Sequence, residues 1–529
     1  MAREVLIVNE KIMSLSEAIA LIRDGDTVAI VSAGLVGYPE YLSAGLVKRF
    51  EETGHPRDLT IAAGCGHANP FNLERGDPKL GRKGLIKCYY ASHPATSVPI
   101  MDMIVNEEIE GYCVPQGIHN QLYRASAAKQ PGLLSKIGIG TYIDPRQEGG
   151  RLNKKSQREI VRLIEIDGEQ WLYYKTFPVN AALIRATTAD ENGNLTIEEE
   201  ALKLEILETA LAAKAQKGVV IAQVKKLARG GSLSARDVVV PAEIVDAVVL
   251  VEDQEKYHMQ TNMTYYSPYF SGELMKPIAA AAKPQNVLET DDVICRRAVM
   301  ELYPGCIVNV GVGIGSGIPT AAEIEGFIDR MTFTLELGTF GGAPTKLPDF
   351  GAAICPTSYI AHPNMFDYYH TGSLDIAFLG AAEIDRYGNV NASRMNGRNA
   401  GQGGFIDIST TSRKTVFVSY FSAKGLKASV ANGKLNIDQE GKIPKLVENV
   451  AQITYNGRIA ADDGREAVYI TERAVFKLTR DGIVLTEIAP GVDIEKDVLA
   501  NMGFRPKVAE DLKMMDARIF IPGRMGVFD

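Results

Sequence analysis

The chain has 529 residues, 46 % of them hydrophobic and 23 % charged, and a formal net charge of −8 at pH 7. This composition excludes a disordered chain, and 50 glycines without a three-residue period exclude collagen. An average chain of this length carries roughly 37 glycines, so about 13 are in surplus, and the acidic balance argues against nucleic acid as a partner.

The first residues, MAREVLIVNEKIMSLSEAIALI, hold acids and no long apolar core, which argues against a secretory leader and for a cytoplasmic protein. Short β-rich runs then recur, each followed by small or polar residues and a helical pattern. In order they are TVAIVSAG, LTIAAGCG, IEGYCVPQG, GVVIAQV, DAVVLVE, CIVNVGVG, MTFTLELG, DIAFLGAA and KTVFVSY. Runs apolar on both faces, alternating with helices, predict an α/β fold with largely parallel sheets. None reaches the roughly 18 apolar residues that span a bilayer, so no membrane is expected. The basic run Lys154, Lys155, Arg158 and Arg162, broken by Glu159, reads as a solvated helix face. The cysteines Cys65, Cys88, Cys113, Cys295, Cys306 and Cys355 are scattered without a Cys-x-x-Cys and read as reduced, mostly buried thiols.

A faint internal duplication runs through the chain. DGDTVAIVSAGLVGYPEYL resembles PGCIVNVGVGIGSGIPTAA, with Gly37 and Pro39 matching Gly317 and Pro319 at an offset of 280. Further on, ALIRATTADENGNL resembles IAFLGAAEIDRYGNV, with Gly193 matching Gly388 at an offset of 195. Two related α/β halves explain this if the first carries an insertion between about 40 and 190. The segment YHMQTNMTYYSPYFSGELMKPIAAAAKPQN lacks sustained period, which divides the chain into domains 1–284 and 285–529. Its tyrosines Tyr257, Tyr265, Tyr266 and Tyr269 read as packed at an interface rather than as serving a cofactor.

Several chemistries find no motif. GVGIGSG after a strand is a poor dinucleotide fingerprint, because Ser316 stands where the third glycine belongs. Phosphate-loop, His-Glu-x-x-His and Gly-x-Ser-x-Gly patterns are missing from the sequence. His362, Asp367 and His370 lie close together, but spacings of five and three match no usual zinc pattern, so hydrogen-bonded histidines are expected there and no metal.

The most informative segment is MTFTLELGTFGGAPTKLPDFG. Phe333, Leu335 and Leu337 alternate with Thr334 and Glu336 as in a strand, and Gly338, Gly341 and Gly342 then break it. This puts Glu336 at a strand's carboxyl end, the edge where open α/β sheets bind ligands. In SRMNGRNAGQGGFIDIS, Gly397, Gly401, Gly403 and Gly404 precede what reads as a short β run, and successive glycine N–H groups can form a nest for an oxyanion. NVGVGIGSGIP opens the second half with a similar strand-to-loop turn, and close strand–helix packing would favour glycine equally well. The glycine surplus thus collects in four loops: Gly34 and Gly37, Gly311 to Gly317, Gly338 to Gly342, and Gly397 to Gly404.

With these segments in hand the chain resembles a single-chain class I CoA-transferase of the acetate/propionate (short-chain acyl) type. The resemblance rests on Glu336-x-Gly-x-x-Gly-Gly, on GQGGFIDIS, and on the C-terminal VYITERAVFKLTRDGIVLTEIAPGVD. LLSKIGIGTYIDPRQEGGRLN and VPQGIHNQLYRA are similar as well, so it runs over nearly the whole chain. It implies two homologous open α/β domains with the active site between them, and reversible, ping-pong transfer of coenzyme A between a short-chain acyl-CoA and a carboxylate such as acetate. Glu336 would be the nucleophile, passing through an acyl–glutamyl anhydride and a glutamyl-CoA thioester. Gln116, Gly403 and Gly404, with Gly401 and Gly34, would serve the oxyanion and substrate; Gly341, Gly342, Asn309 and Gly311 would bind coenzyme A. Coenzyme A would be a co-substrate only, with no tightly bound cofactor and no metal, and the assembly a homodimer or homotetramer. Two features depart from the family: Leu337 replaces a small residue after the glutamate, and Leu35-Val36 stands in a loop that relatives make richer in glycine. Both bear on the acyl pocket. Competing readings are an acyl-CoA hydrolase using the same glutamate, a sugar-phosphate isomerase on a related fold, and a non-catalytic ligand-sensing module. Exchange that requires an added carboxylate excludes the hydrolase. The isomerase leaves Glu336 unexplained, and the sensing module leaves the intact glutamate and glycine nests without a role.

Overall fold

Thr27–Ile30 (β1), Leu59–Ala63 (β2), Ile86–Ala91 (β3) and Glu110–Tyr112 (β4) open the computed structural model, which describes residues 11–68, 73–274 and 286–529. With Ala181–Asp190 (β5), Val219–Ala228 (β6) and Ala247–Leu250 (β7) they form one parallel sheet in the order β7-β6-β5-β1-β2-β3-β4. Val28, Ile61, Leu183, Ile221 and Val249 are buried in one core, and Thr27–Ile30, Leu59–Ala63 and Ala181–Asp190 are buried along their whole length, which is why these runs are apolar on both faces. Helices Gln116–Ala127 (α1) and Ile206–Ala215 (α2) follow β4 and precede β6, in the β-α alternation of such sheets.

The second sheet is built from Ile307–Val310 (β8), Thr332–Leu335 (β9), Thr339–Phe340 (β10), Ile376–Gly380 (β11), Lys414–Val418 (β12) and Glu466–Ile470 (β13). Its parallel part runs β13-β12-β11-β8-β9, and β10 then pairs antiparallel with β9. Beyond β13 it continues through an antiparallel meander, Ala474–Thr479 and Gly482–Ile488. Helices His362–His370 (α3) and Phe405–Thr411 (α4) precede β11 and β12.

Five strands therefore recur in the same order, and the register recurs with them. Val28 faces Ala181 across β1/β5 as Val308 faces Ile376 across β8/β11, which reproduces the offsets of 280 and 195. Ala181 faces Val219 as Ile376 faces Lys414. The turns after β5 and after β11 match down to their hydrogen bonds. Asp190 accepts from the N–H groups of Asn192 and Asn194 and from Asn194 Nδ2; Asp385 accepts from those of Tyr387 and Asn389 and from Asn389 Nδ2. Gly193 and Gly388 close these turns with φ of +99° and +76°, a conformation that favours glycine.

The chain divides into two compact units. Of the described residues, the first holds those up to Lys136, Gly149–Leu274 and Tyr359–Pro363. The second holds Ile137–Glu148, those from 286 to Ser358, and Asn364–Asp529. The boundary expected at 284/285 lies outside the described residues.

All nine apolar runs named from the sequence form strands of these two sheets. Two local expectations are corrected. The basic run is not a helix face: it leads into the strand Val161–Ile166, paired antiparallel with Glu169–Lys175, where Arg162 and Lys175 both reach Glu159. Pairing of all six residues, Val161 with Tyr174 through Ile166 with Glu169, decides for a strand. FIDIS is not a β run but the start of α4, because Gly404 caps a turn in which the Ile408 N–H bonds the Gly404 carbonyl at 2.9 Å. Three of the four tyrosines pack locally, Tyr265 and Tyr266 beneath the Lys225 ammonium and Tyr257 beside Tyr41. Among the described residues no helix is long and apolar enough to cross a membrane.

Candidate active site

Glu336 is the first residue past β9 and opens a three-residue hairpin loop, since Leu335 pairs with Thr339 across it. Gly338 completes the loop at φ +113°, with its N–H on the Leu335 carbonyl at 3.0 Å. The glutamate is half-buried, whereas Phe333, Thr334, Leu335 and Leu337 are buried. The in–out alternation expected here does not hold, because both faces of β9 are covered. Thr334 is buried at no cost in lost hydrogen bonds: its Oγ1 donates to the Val308 carbonyl at 3.1 Å and lies 2.8 Å from the Tyr369 hydroxyl.

Asn309, the fully buried third residue of β8, orients the carboxylate. Its Nδ2 lies 3.2 Å from Glu336 Oε2 and 3.2 Å from the Tyr369 hydroxyl of α3. Burial first, and the charge of Glu336 second, hold the Tyr369 hydroxyl above its ordinary pKa, so it stays protonated beside the carboxylate. Gly404 lies on the other side: a Cβ built there would stand 3.5 Å from Glu336 Cγ and 3.3 Å from Phe366 Cζ. Gly403, at φ +55°, is followed by Gly404 at φ −83°, the left- then right-handed succession that turns consecutive N–H groups toward one point. A carboxylate oriented by a neutral amide keeps lone pairs for attack on a carbonyl.

Of the residues singled out from the sequence, Glu336, Asn309 and Gly404 come together. Gly401 supports the same loop, its N–H donating to Asn399 Oδ1 at 3.0 Å. Gly311 directly follows β8 with its N–H on the Phe378 carbonyl, so its place is explained by strand packing. Gly341 and Gly342 have positive φ, and added Cβ atoms would meet Thr357 and the Ile354 carbonyl, at 2.7 and 2.4 Å. Their glycine requirement is that of a tightly folded hairpin. Gly34 sits at φ +59° in the turn closed by reciprocal Ala33–Val36 bonds. In that loop Leu35 and Val36 are buried, with Leu35 against Gly76.

Gln116 belongs to the first unit, where it opens α1 and is 2 % exposed. Its Nε2 lies 2.8 Å from His362 Nε2, and His362 Nδ1 lies 2.8 Å from Glu205 Oε2. His370 turns elsewhere, toward Asp407 at 3.2 Å, so the two histidines do not share a site. Sequence reasoning missed Thr334, Tyr369 and Glu205. Thr334 showed only as one polar place in the alternation, and the other two lie far from their partners in the chain.

The comparisons with known proteins decide the family. The Coenzyme A transferase family profile matches residues 12–250. A caffeate CoA-transferase of Acetobacterium woodii is 42 % identical over 515 residues, which cover 96 % of this chain and 97 % of that one. The chain belongs to the coenzyme A transferase family. An acetate CoA-transferase, YdiF, of Escherichia coli O157:H7 is 39 % identical over 517 residues, covering 97 % and 96 %. Solved structures of the acyl-CoA transferase YdiF from that organism, as apoenzyme and as a thioester complex with CoA, match with TM-scores of 0.92 and 0.90. Each is 38 % identical and covers 98 % of both chains. This CoA-transferase is thus an enzyme of acyl-CoA and carboxylic acid substrates on a two-sheet α/β fold. Its glutamate hairpin and its glycine loop lie in the part of the chain beyond the profile match, which the full-length relatives span.

Proposed function

We propose that Glu336 is the nucleophile of a double displacement that moves coenzyme A between a short-chain acyl-CoA and a carboxylate such as acetate. A carboxylate oxygen of Glu336 attacks the thioester carbonyl, the C–S bond breaks, and coenzyme A leaves as the thiolate with an acyl–glutamyl anhydride behind it. The thiolate attacks the glutamyl carbonyl and expels the first carboxylate, which leaves a glutamyl-CoA thioester. An acceptor carboxylate then runs the steps in reverse and regenerates Glu336, with no net proton transfer. Two carboxylates cannot exchange coenzyme A directly, and a third, borne by the enzyme, divides the transfer into easier steps.

The observation that carries this reading is the half-buried Glu336, held at 3.2 Å by Asn309 and flanked by a glycine whose missing Cβ leaves its methylene side open. Each step passes through an oxyanion, for which Gln116 and the backbone N–H groups at Gly403 and Gly404 are the proposed donors. Gly341, Gly342, Asn309 and Gly311 are the proposed coenzyme A contacts. The thioester complex of the YdiF relative supports a covalent route in this family. Borohydride after incubation with acyl-CoA should reduce Glu336 to its alcohol, seen by mass spectrometry. Glu336→Ala should abolish both labelling and turnover. Labelling at another residue, or full turnover in the variant, would overturn the assignment.

A further inference from the structure

By strand order and register, Gly64 is the first unit's counterpart of Glu336: it directly follows β2 as Glu336 directly follows β9. The residue facing it is exchanged as well. Gly404 is the N-cap of α4 and faces Glu336; Glu205 is the N-cap of α2, with Oε1 3.0 Å from a Cβ built at Gly64. The first unit thus keeps a carboxylate at the matching place but mounts it on the opposite element. Here it is fully buried, and one of its oxygens lacks a hydrogen-bond partner among the described residues. A buried carboxyl group with an unpartnered oxygen is a poor stabilising device.

Its partners define what it does. A side-chain amide nitrogen can only donate, so His362 Nε2, at 2.8 Å from Gln116 Nε2, is the unprotonated ring nitrogen. The proton then sits on Nδ1 and points at Glu205 Oε2, 2.8 Å away. Asn120 Nδ2 lies 3.2 and 3.3 Å from the two ring nitrogens and holds the ring in place. Turning the Gln116 amide over would set its oxygen against the lone pair on Nε2. The carboxylate fixes the tautomer, the tautomer fixes the amide, and one N–H of Gln116 stays free to donate elsewhere.

We infer that Glu205 and His362 are positioning residues for Gln116, holding its amide so that the second N–H is presented to the reacting carbonyl oxygen. This rests on the proposed oxyanion role of Gln116. A group that acts only through another adds nothing once that other is gone.

The test is a mutant cycle on the full-length enzyme, read as single-turnover formation of the glutamyl-CoA thioester and as kcat and KM. Gln116→Ala is expected to lower kcat roughly a hundredfold, in the range for one oxyanion donor. His362→Ala should lower it roughly ten- to a hundredfold, with KM for acyl-CoA changed by less than about threefold. His362→Gln, which can still bridge Glu205 and Gln116, should recover part of the loss. The Gln116→Ala/His362→Ala double variant should be no slower than Gln116→Ala alone. Multiplying losses, a His362→Ala enzyme within twofold of the parent, or an inert Gln116→Ala would each overturn the inference. If His362→Ala does not fold, Glu205→Gln completes the same cycle with the same outcomes. An active Glu336→Ala variant would remove the underlying reading; an inactive one combined with multiplying losses removes this inference alone.

Discussion

Gly64 and Glu336 occupy the same position in two sheets that share an order of five strands, and each faces a residue of the other's kind, Glu205 at the N-cap of α2 and Gly404 at the N-cap of α4. At Gly64 an added Cβ would collide with Asn120 and press on Glu205, at 2.3 and 3.0 Å, whereas at Gly404 the tight neighbours are Ile408 and Phe366 and Glu336 Cγ lies at 3.5 Å. Gly404 has φ −83°, which any residue can adopt, so an added methyl group meets no backbone strain. Its Cβ would lie 3.2 to 3.5 Å from Ile408, Phe366 and Glu336. Gly404→Ala should therefore cost less than about 1.5 kcal/mol in urea unfolding yet reduce kcat at least tenfold by crowding the glutamate. Gly64→Ala places its Cβ 2.3 Å from Asn120 Oδ1 and should cost about 1–3 kcal/mol. Unaltered kcat in Gly404→Ala would show that the methylene side of Glu336 is not used.

Asn309 donates to the carboxylate while also touching the Tyr369 hydroxyl and the Thr334 carbonyl. Hydrogen bonds to charged groups are worth about 1.5–3 kcal/mol, or roughly 10- to 150-fold in rate if the bond orients the nucleophile. Asn309→Ala should lower kcat by that range and leave KM for the carboxylate acceptor within a few-fold. A rise in KM alone would assign Asn309 to substrate binding.

Acid should destabilise the first unit from below about pH 6.5, through two buried histidines. Burial first, then the charge of Arg185, brings His258 down to about 4; burial, with His67 and His362, brings His119 to about 3. Both ordinary histidine values lie near 6.5, so the unfolded chain binds more protons as pH falls below 6.5, and stability falls with it. Between pH 7.5 and 4.5 the loss should be on the order of 2 kcal/mol from each. Glu200 extends the trend: burial would raise it, but Arg185 and His258 outweigh burial and hold it to about 2, so its contribution disappears from about pH 4.5 downward. Urea midpoints at pH 7.5, 5.5 and 4.5 test this, and a flat profile across them would contradict it.

How much of this could be read from the chain depended on the range of the interactions. The strands were legible because each core run is apolar on both faces, and Glu336 because glycines crowd after it. The order of the five recurring strands was foreshadowed only by Gly37 with Gly317 and Gly193 with Gly388. Glu205 was invisible: it sits in an ordinary helical stretch, and His362, its partner, is 157 residues away. FIDIS misled because its hydrophobic pattern fits both a short strand and one helical turn, and the Gly404 cap decided between them. Gly341 and Gly342 stood out as glycines after Glu336, and the close approach of Thr357 and the Ile354 carbonyl is a packing reason for glycine that the sequence could not show.

The twin turns after β5 and β11 give the duplication an energetic test. Asp190 and Asp385 are both buried, and each accepts two backbone N–H groups and one asparagine Nδ2 at 2.9–3.0 Å. Alanine at either place would leave those donors without their acceptor, at a cost of about 1–3 kcal/mol. Asp190 also accepts from the Gly231 N–H at 3.1 Å, so Asp190→Ala should cost as much as Asp385→Ala or slightly more. Asparagine retains one acceptor oxygen and should recover about half of either loss. In chemical denaturation the two alanine variants should fall within about 1 kcal/mol of one another. A turn that can be changed without loss in one sheet, but not in the other, would mean that the shared hydrogen bonds no longer do the same job in both halves.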